Sequence, residues 1–127
     1  MPALEPLRGL RVVADPVALD AARWRGDAVT VLHFTPDDAF AIGADGVEID
    51  DEHAIVEPEP GFAGGWLLIE AIERHIEWPL PIERPTLAQG FVATVPAKVW
   101  LPDDRDDGTV LLLTAAAYAD ELADRLR

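Results

Sequence analysis

Hydrophobic and polar residues alternate along the last third of the chain, beginning at residue 86. A period of two predicts strand structure. One side of the extended chain collects the apolar residues Phe91, Ala93, Val95, Ala97, Val99 and Leu101. Pro96 lies on the other side and has no N–H to donate, so it marks an edge, a bulge or a break between two strands. Residues 102–108 then predict a turn and residues 110–113 a returning strand, which together indicate a β-hairpin.

An amphipathic helix is expected to follow this hairpin. Thr114 is predicted to cap it, because a threonine oxygen can accept a hydrogen bond from the free N–H groups of the first turn. The apolar stripe of the helix consists of Ala115, Tyr118, Ala119, Leu122 and Leu126. Arg125 lies on the polar face near the last turn, where positive charge suits the negative end of the helix dipole.

The first quarter of the chain predicts a strand followed by a helix. Residues 10–14 form a short apolar run that ends at Asp15 and Pro16. This pair is typical of a helix start, because Asp accepts hydrogen bonds from free N–H groups and Pro has none to lose there. The apolar face of this helix carries Val17, Ala21 and Trp24. Gly26 can supply the left-handed residue that ends it.

The middle of the chain is less regular. Residues 28–34 have few polar positions and predict a central strand, and after a turn at 35–38 residues 39–43 predict the next one. Residues 44–61 are the least structured part. Within them, Glu-Pro-Glu-Pro at 57–60 is expected to run extended without joining a ladder.

Residues 66–78 predict a helix that Pro79 stops, because apolar residues recur at near-helical spacing. Residues 66–69 alone could instead form a strand. The order of elements is then β-α-β-(β)-loop-α-β-β-α, which indicates the α+β class: an antiparallel sheet with two or three helices packed on it. The length of 127 residues predicts a single domain, 1–127.

Composition narrows the range of partners and reactions. Ten basic and 24 acidic residues give a formal net charge of −14. This charge repels phosphate polyanions, so neither nucleic acid nor an anionic membrane is an expected partner. The first twenty residues contain no signal-peptide core, and the longest uncharged apolar run, 110–119, is too short to span a bilayer; a cytoplasmic location is expected. The absence of cysteine and serine excludes thiol and serine nucleophiles and zinc–thiolate sites.

Acidic and histidine residues give weak signals for chemistry. In the acidic turn 103–108, a calcium loop would need a ligand where Arg105 stands and a bidentate Glu where Thr114 stands, so a solvated turn is favoured. Residues 50–53, Asp-Asp-Glu-His, are expected to form an exposed loop. His33, which is expected to be half-buried, lies on a different element from the other two histidines, and none has metal-ligand spacing. The sequence therefore predicts no catalytic, cofactor-binding or metal-ligating residue, and no cofactor.

Aromatic residues give the remaining candidates. Trp100 faces away from the apolar side of its strand and lies next to Lys98. Partly exposed tryptophan is common at interfaces, although half-buried packing is the more frequent role. The candidate residues for a pocket or a partner surface are Trp66, Lys98, Trp100 and Tyr118.

One family resemblance covers about a third of the chain. The residues on which it rests are Ala88-Gln89, Ala93, Val95-Pro96, Trp100, Leu112-Leu113, Tyr118-Ala119 and Leu122, with Pro36-Asp37-Asp38 upstream. In this pattern residues 86–126 resemble the end of the gamma subunit of heterotetrameric sarcosine oxidase, itself similar to the aminomethyltransferase (glycine-cleavage T-protein) family. That family often has Arg two residues before the Tyr, where this chain has Ala116. The resemblance implies a folded support subunit of a larger enzyme, without a flavin, nicotinamide or zinc of its own.

Three functions follow as hypotheses. The first is a non-catalytic accessory or interaction subunit, which binds a protein partner or a second copy of itself. The second is a small-ligand binding domain, for a folate or an amine, with a pocket lined by Trp66, Trp100 or Tyr118. The third is cation binding at the acidic turn.

Overall fold

A computed structural model describes residues 4–103 and 107–127. The strands described are β1 (Glu5–Pro6), β2 (Gly9–Val13), β3 (Arg23–Thr35), β4 (Asp38–Glu48), β5 (Ile55–Pro58), β6 (Phe62–Leu68), β7 (Thr86–Val92), β8 (Val95–Leu101) and β9 (Thr109–Ala115). The α-helices described are α1 (Pro16–Asp20), α2 (Ile69–Glu73) and α3 (Ala119–Arg125), the last preceded by a 3-10 turn, Ala116–Tyr118. All strand pairs are antiparallel, which confirms the predicted α+β class.

The chain folds into two compact units, each with its own sheet. The N-terminal unit is Leu7–Pro60, and the C-terminal unit is Gly61–Arg127 together with the residues up to Pro6. The expected single domain spanning both stays a prediction. Within the described part of the chain, no helix is both long and apolar enough to cross a membrane.

The N-terminal unit contains a described sheet in the order β3-β4-β2-β5. Helix α1 begins where the sequence predicts it, because the Asp15 carboxylate accepts a hydrogen bond from the Ala18 N–H at 3.2 Å. Leu19 is the buried residue of α1. It packs in a small core with Val12, Ala14 and Ala39.

Three expectations for this unit are wrong at the ends of its elements. Helix α1 stops at Asp20, Val17 is 77% exposed, and Trp24 lies in β3. Trp24 belongs to a strand because it pairs with Val47 of β4. The same strand pairing places Gly26, with φ +147°, at an irregular point of β3 rather than at the end of a helix.

Strand β3 lies at an edge of its sheet, not at the centre. The apolar window 28–34 omits the charged residues Arg23, Arg25 and Asp27 that begin the strand, and charge is a usual protection of an edge. His33 is exposed rather than half-buried. The expectation that residues 57–60 join no ladder is wrong in part. Pro58 lies on the edge strand β5, where proline is tolerated, and pairs with Leu10 of β2.

The C-terminal unit contains a described sheet in the order β1-β6-β9-β8-β7. One face of it carries the hydrophobic core, onto which Ile72 of α2 and Leu122 of α3 pack. The buried strand residues of this core are Leu67, Ala88, Val92, Val95, Ala97, Val99, Leu101, Val110 and Leu112. The predicted C-terminal order of hairpin then helix is confirmed by β8, β9 and α3.

Two helix predictions in this unit are wrong. Residues 66–68 belong to β6, as the alternative allowed, because Trp66 pairs with Leu111 of β9, and α2 is only five residues long. Thr114 does not cap a helix. It lies within β9, is buried, and donates its hydroxyl to the carbonyl oxygen of Pro96 at 2.8 Å.

The turn between β7 and β8 reverses the predicted alternation. Ala93 and Thr94 form a two-residue loop with φ +49° and +65°, and two positive φ values are the mark of a type I′ hairpin turn. After a two-residue loop, paired residues share a face, so Phe91 pairs with Pro96 and Val92 with Val95. Val92 is therefore fully buried, whereas Phe91, expected on the apolar side, is 63% exposed.

Candidate functional site

The C-terminal unit has a pocket at the end of the β7–β8 hairpin, which we call the hairpin pocket. Its volume is about 470 Å³, within the range of roughly 300–1,000 Å³ that is usual for ligand pockets. The lining residues described are Phe62, Gln89, Gly90, Phe91, Pro96, Ala97, Lys98, Leu113, Thr114, Ala115 and Tyr118. Lys98 and Leu113 alternate with the core residues Ala97 and Leu112, so their side chains point to the sheet face opposite the core.

The pocket opens where two neighbouring strands stop pairing. The β8–β9 ladder runs from Trp100 opposite Leu111 to Lys98 opposite Leu113 and goes no further. Pro96, two residues beyond Lys98, has no N–H with which to continue it. The hydrogen bond from Thr114 to Pro96 ties the two strands at this point through a side chain. The lining of the site therefore includes a proline at the end of a ladder.

Aromatic side chains form the walls of the hairpin pocket. Phe91 is 63% exposed and Tyr118 is 42% exposed, and Phe62 is half-buried. Exposed aromatic groups around a depression are typical of sites that bind another molecule, because a bound apolar group removes their surface from water.

A hydrogen-bonded polar pair lies on the pocket wall. Gln89 and Lys98 stand opposite each other on β7 and β8, and the Lys98 ammonium donates a hydrogen bond to Gln89 Oε1 at 2.8 Å. Among the described lining residues, Lys98 is the one with a charge. It is also the single lysine of the chain.

The backbone that presents Phe91 is fixed from the opposite side. The Trp78 indole N–H donates to the carbonyl oxygen of Phe91 at 2.9 Å. A Cβ added to Gly90 would stand 2.6 Å from the Trp78 ring, so glycine allows this close approach. The Arg125 guanidinium donates to the carbonyl oxygen of Ala93 at 3.0 Å and to the Thr94 hydroxyl, which holds the left-handed turn. Phe91 therefore projects from a positioned backbone.

The structure brings together two of the four residues predicted for a pocket or a partner surface. Lys98 and Tyr118 line the hairpin pocket. Trp66 and Trp100 do not line the pocket, because both pair with Leu111, which lies two residues along β9 from the pocket residue Leu113. Both tryptophans are half-buried. Sequence reasoning missed Phe62 and Phe91. Phe62 precedes the helix predicted for residues 66–78, and the alternation of the sequence predicts Phe91 on the apolar side.

The loop 50–53 has a structural role. The Asp51 carboxylate accepts hydrogen bonds from the backbone N–H groups of Asp15 and His53, each at 2.9 Å. These two hydrogen bonds lower the pKa of Asp51 below its usual value, and the one from Asp15 has the larger effect. His53 and Glu52 lie 3.4 Å apart and are both highly exposed.

Metal-binding groups are not assembled in the part of the chain described. Within residues 4–103 and 107–127, no three or more His, Asp or Glu side chains are placed to hold an ion. The centre of the acidic turn, with Arg105, lies outside the described residues. At its end the Asp107 carboxylate accepts hydrogen bonds from the backbone N–H and the hydroxyl of Thr109.

Arg11 is the centre of an ion-pair cluster in the N-terminal unit. Its guanidinium forms two hydrogen bonds to Asp38, at 2.6 and 2.8 Å, and one to Glu59 at 2.7 Å. It also lies 4.5 Å from the centre of the Phe34 ring. The bonds to Asp38 raise the pKa of Arg11 above its usual value, so it stays charged. Because this geometry ties β2 to β4 and to the end of β5, we assign the cluster a structural role.

Comparisons with protein-family models, with curated proteins and with solved structures find no match to this chain. The resemblance of residues 86–126 to a sarcosine oxidase gamma subunit therefore stays a prediction.

Proposed function

We propose that this protein is a non-catalytic accessory or interaction subunit and that the hairpin pocket is where its partner binds. The exposure of Phe91, an aromatic side chain that is 63% accessible on a positioned backbone, is the observation that supports this most. Burying the part of this side chain that is still exposed is favourable by roughly 1–2 kcal/mol, before the costs of association are subtracted. Phe62 and Tyr118 add surface to the same contact.

The resemblance to a gamma subunit favours the same assignment, since it implies a support role within a larger enzyme. A cytoplasmic location belongs to the proposal, as does a protein partner rather than nucleic acid or a membrane. The net charge of −14 favours a partner whose contact surface is basic around its apolar centre.

Affinity capture with matched variants tests this function. Tagged wild type, Phe91→Ser and Ile82→Ser are used to capture proteins from extracts of the native cells. Ile82 is 90% exposed and does not line the hairpin pocket, so its variant removes a similar apolar group elsewhere. We expect wild type and Ile82→Ser to capture the same protein and Phe91→Ser to lose it. The captured protein is then purified and its affinity for the three chains is measured.

A second copy of the chain is tested as partner by light scattering on the same three proteins. Dimerisation that Phe91→Ser alone weakens would identify self-association at this site. If no captured protein and no dimer depends on Phe91, the proposal is wrong. Measurable turnover by the purified chain would also contradict it, because an accessory subunit has no activity of its own.

A second candidate function is binding of a small ligand, of the folate or amine type, in the same pocket. The observation that favours it is the volume of about 470 Å³, enough for a drug-sized molecule. Thermal-shift measurements with folates and secondary amines test it. No rise in the unfolding temperature across the panel would count against those two ligand classes.

A further inference from the structure

The end strands of the two sheets differ in how they are protected against pairing with another chain. An end strand leaves one row of backbone N–H and C=O groups open, and proteins usually block that row with charge, proline, irregular pairing or a very short strand. Strand β3 begins with charged residues and has register shifts, β5 contains Glu57 and Pro58, and β1 is two residues long. Strand β7, Thr-Leu-Ala-Gln-Gly-Phe-Val, is regularly paired with β8 and contains neither charge nor proline.

The hairpin turn decides which backbone groups of β7 point outward. In a two-residue hairpin the residues that flank the loop hydrogen-bond to each other, so Val92 directs its N–H and C=O toward β8. The residues that alternate with it, Leu87, Gln89 and Phe91, therefore direct theirs away from β8. The hydrogen bond from the Trp78 indole to the Phe91 carbonyl oxygen agrees with this direction. Within the described part of the chain, the backbone groups of Leu87 and Gln89 make no hydrogen bond on this outer side.

We propose that two copies of this chain pair antiparallel through β7 and form one continuous sheet across a twofold axis at Gln89. In this register Gln89 pairs with Gln89 of the second copy, and Leu87 pairs with Phe91 of the second copy, so each outward N–H meets an outward C=O. The Phe91 oxygen can accept this bond together with that from Trp78, because a carbonyl has two lone pairs. The inference goes beyond the proposed function, since it needs no other protein and rests on the strand edge rather than on the pocket.

Side chains and backbone donors favour this register over its neighbours. It sets the 63% exposed Phe91 beside the half-buried Leu87 of the second copy, on the sheet face opposite the core, and so removes apolar surface from water. An axis one residue earlier would set Phe91 opposite Pro85, which has no N–H to donate. An axis one residue later would set Leu87 opposite Ala93, which lies in the left-handed turn after the strand has ended.

The assembly stops at two copies and is weak. The far end of the same sheet is β1, which is too short to pair in this way, and a twofold interface uses the same surface on both copies. Each chain has a net charge of −14, so the two copies repel each other through charges that salt screens. We therefore expect a dimer that dissociates on dilution and tightens as the salt concentration rises.

Analytical ultracentrifugation over a range of protein concentrations measures this dimer, and a proline at its axis tests the backbone hydrogen bonds. Gln89→Pro removes an N–H that points away from the sheet, a position where an edge strand tolerates proline. It should weaken dimerisation by at least about tenfold, because both symmetric hydrogen bonds at the axis are lost. Gln89→Ala removes the side chain and keeps the N–H, so it should dimerise within about threefold of wild type.

Disulfide crosslinking tests the register independently of the proline variant. The natural chain contains no cysteine, so Gln89→Cys and Leu87→Cys each introduce a single thiol. The proposed axis sets the two copies of position 89 opposite each other, with about 5.5 Å between their Cα atoms, which is within reach of a disulfide. The two copies of position 87 lie on opposite sides of the axis, roughly 13 Å apart along the strands. Mild oxidation should therefore link Gln89→Cys into a dimer and leave Leu87→Cys unlinked.

Thermal unfolding shows whether each variant is folded, and if Gln89→Pro is not, the pair of cysteine variants decides alone. A wild type that stays monomeric at every protein and salt concentration overturns the proposal. Dimerisation that a folded Gln89→Pro leaves unchanged, or equal crosslinking from the two positions, also overturns it. None of these results removes the proposed function, because a different protein that binds at the hairpin pocket is detected separately through Phe91→Ser.

Discussion

The left-handed turn between β7 and β8 gives a sharp test of the fold around the hairpin pocket. Ala93 has φ +49°, and this conformation costs an L-residue roughly 1–2 kcal/mol that glycine does not incur. Glycine elsewhere costs about 0.5–1 kcal/mol because it loses more chain entropy on folding. Ala93→Gly is therefore expected to leave stability unchanged or to raise it by up to about 1 kcal/mol.

The matched control is Ala115→Gly. Ala115 has φ −56°, which glycine does not improve, so this variant should lose about 0.5–1 kcal/mol. Ala93 is partly buried against the core and loses some contact when its methyl group is removed. After allowance for that loss, the free energy of unfolding of Ala93→Gly should be higher than that of Ala115→Gly by about 1 kcal/mol, which corresponds to roughly 4 °C in Tm.

Urea unfolding followed by tryptophan fluorescence measures both variants against wild type. Equal destabilisation of the two variants would contradict a left-handed conformation at Ala93, because glycine would then relieve no backbone strain there. The result also bears on the site. A two-residue loop at Ala93 and Thr94 places Phe91 on the exposed face, whereas a loop with one residue more or fewer would place it on the core face.

Two further predictions concern side-chain hydrogen bonds. Thr114→Val should lower the free energy of unfolding by about 1–2 kcal/mol, because it leaves the Pro96 carbonyl without its hydroxyl partner. Thr114→Ser keeps the hydroxyl and should lose clearly less free energy of unfolding when both variants are unfolded in urea. Equal losses would contradict this role of the hydroxyl. The pKa of Asp51 is lowered from 3.8 by the N–H groups of Asp15 and His53, so this carboxylate stabilises the fold above the unfolded pKa and stops doing so as pH falls through the folded one. Asp51→Asn should therefore show a smaller loss of Tm than wild type between about pH 5 and about pH 2, and an unchanged pH profile would refute the assignment.

The sequence pattern predicts the fold class and the end of the chain well. Strands β8 and β9 and helix α3 follow from local alternation and from apolar residues at helical spacing. Residues 66–78 show the limit of such patterns. The spacing of Trp66, Ile69 and Ile72 fits a helix, but pairing of Trp66 with Leu111, 45 residues away, makes the first part a strand. A pairing partner so distant in sequence leaves no trace in a local window.

The candidate site is predictable only in part for a related reason. Lys98 and Tyr118 can be singled out from the sequence by residue type and position, and both line the pocket. Phe91 cannot be singled out in this way, because its face depends on how many residues the hairpin loop contains. Ala93 and Thr94 lack the Gly or Asn that usually marks such a turn, so the alternation in the sequence continues through it without a break.

Photo-crosslinking from the hairpin pocket shows whether a partner protein binds there. A benzophenone amino acid is placed at Phe91 in one variant and at Ile82 in another, and both are irradiated in the native cells. We expect a defined crosslinked protein species from position 91 that position 82 does not give. Excess purified wild type should reduce this species when the irradiation is repeated in extracts. Equal crosslinking from the two positions, or none from position 91, would contradict it.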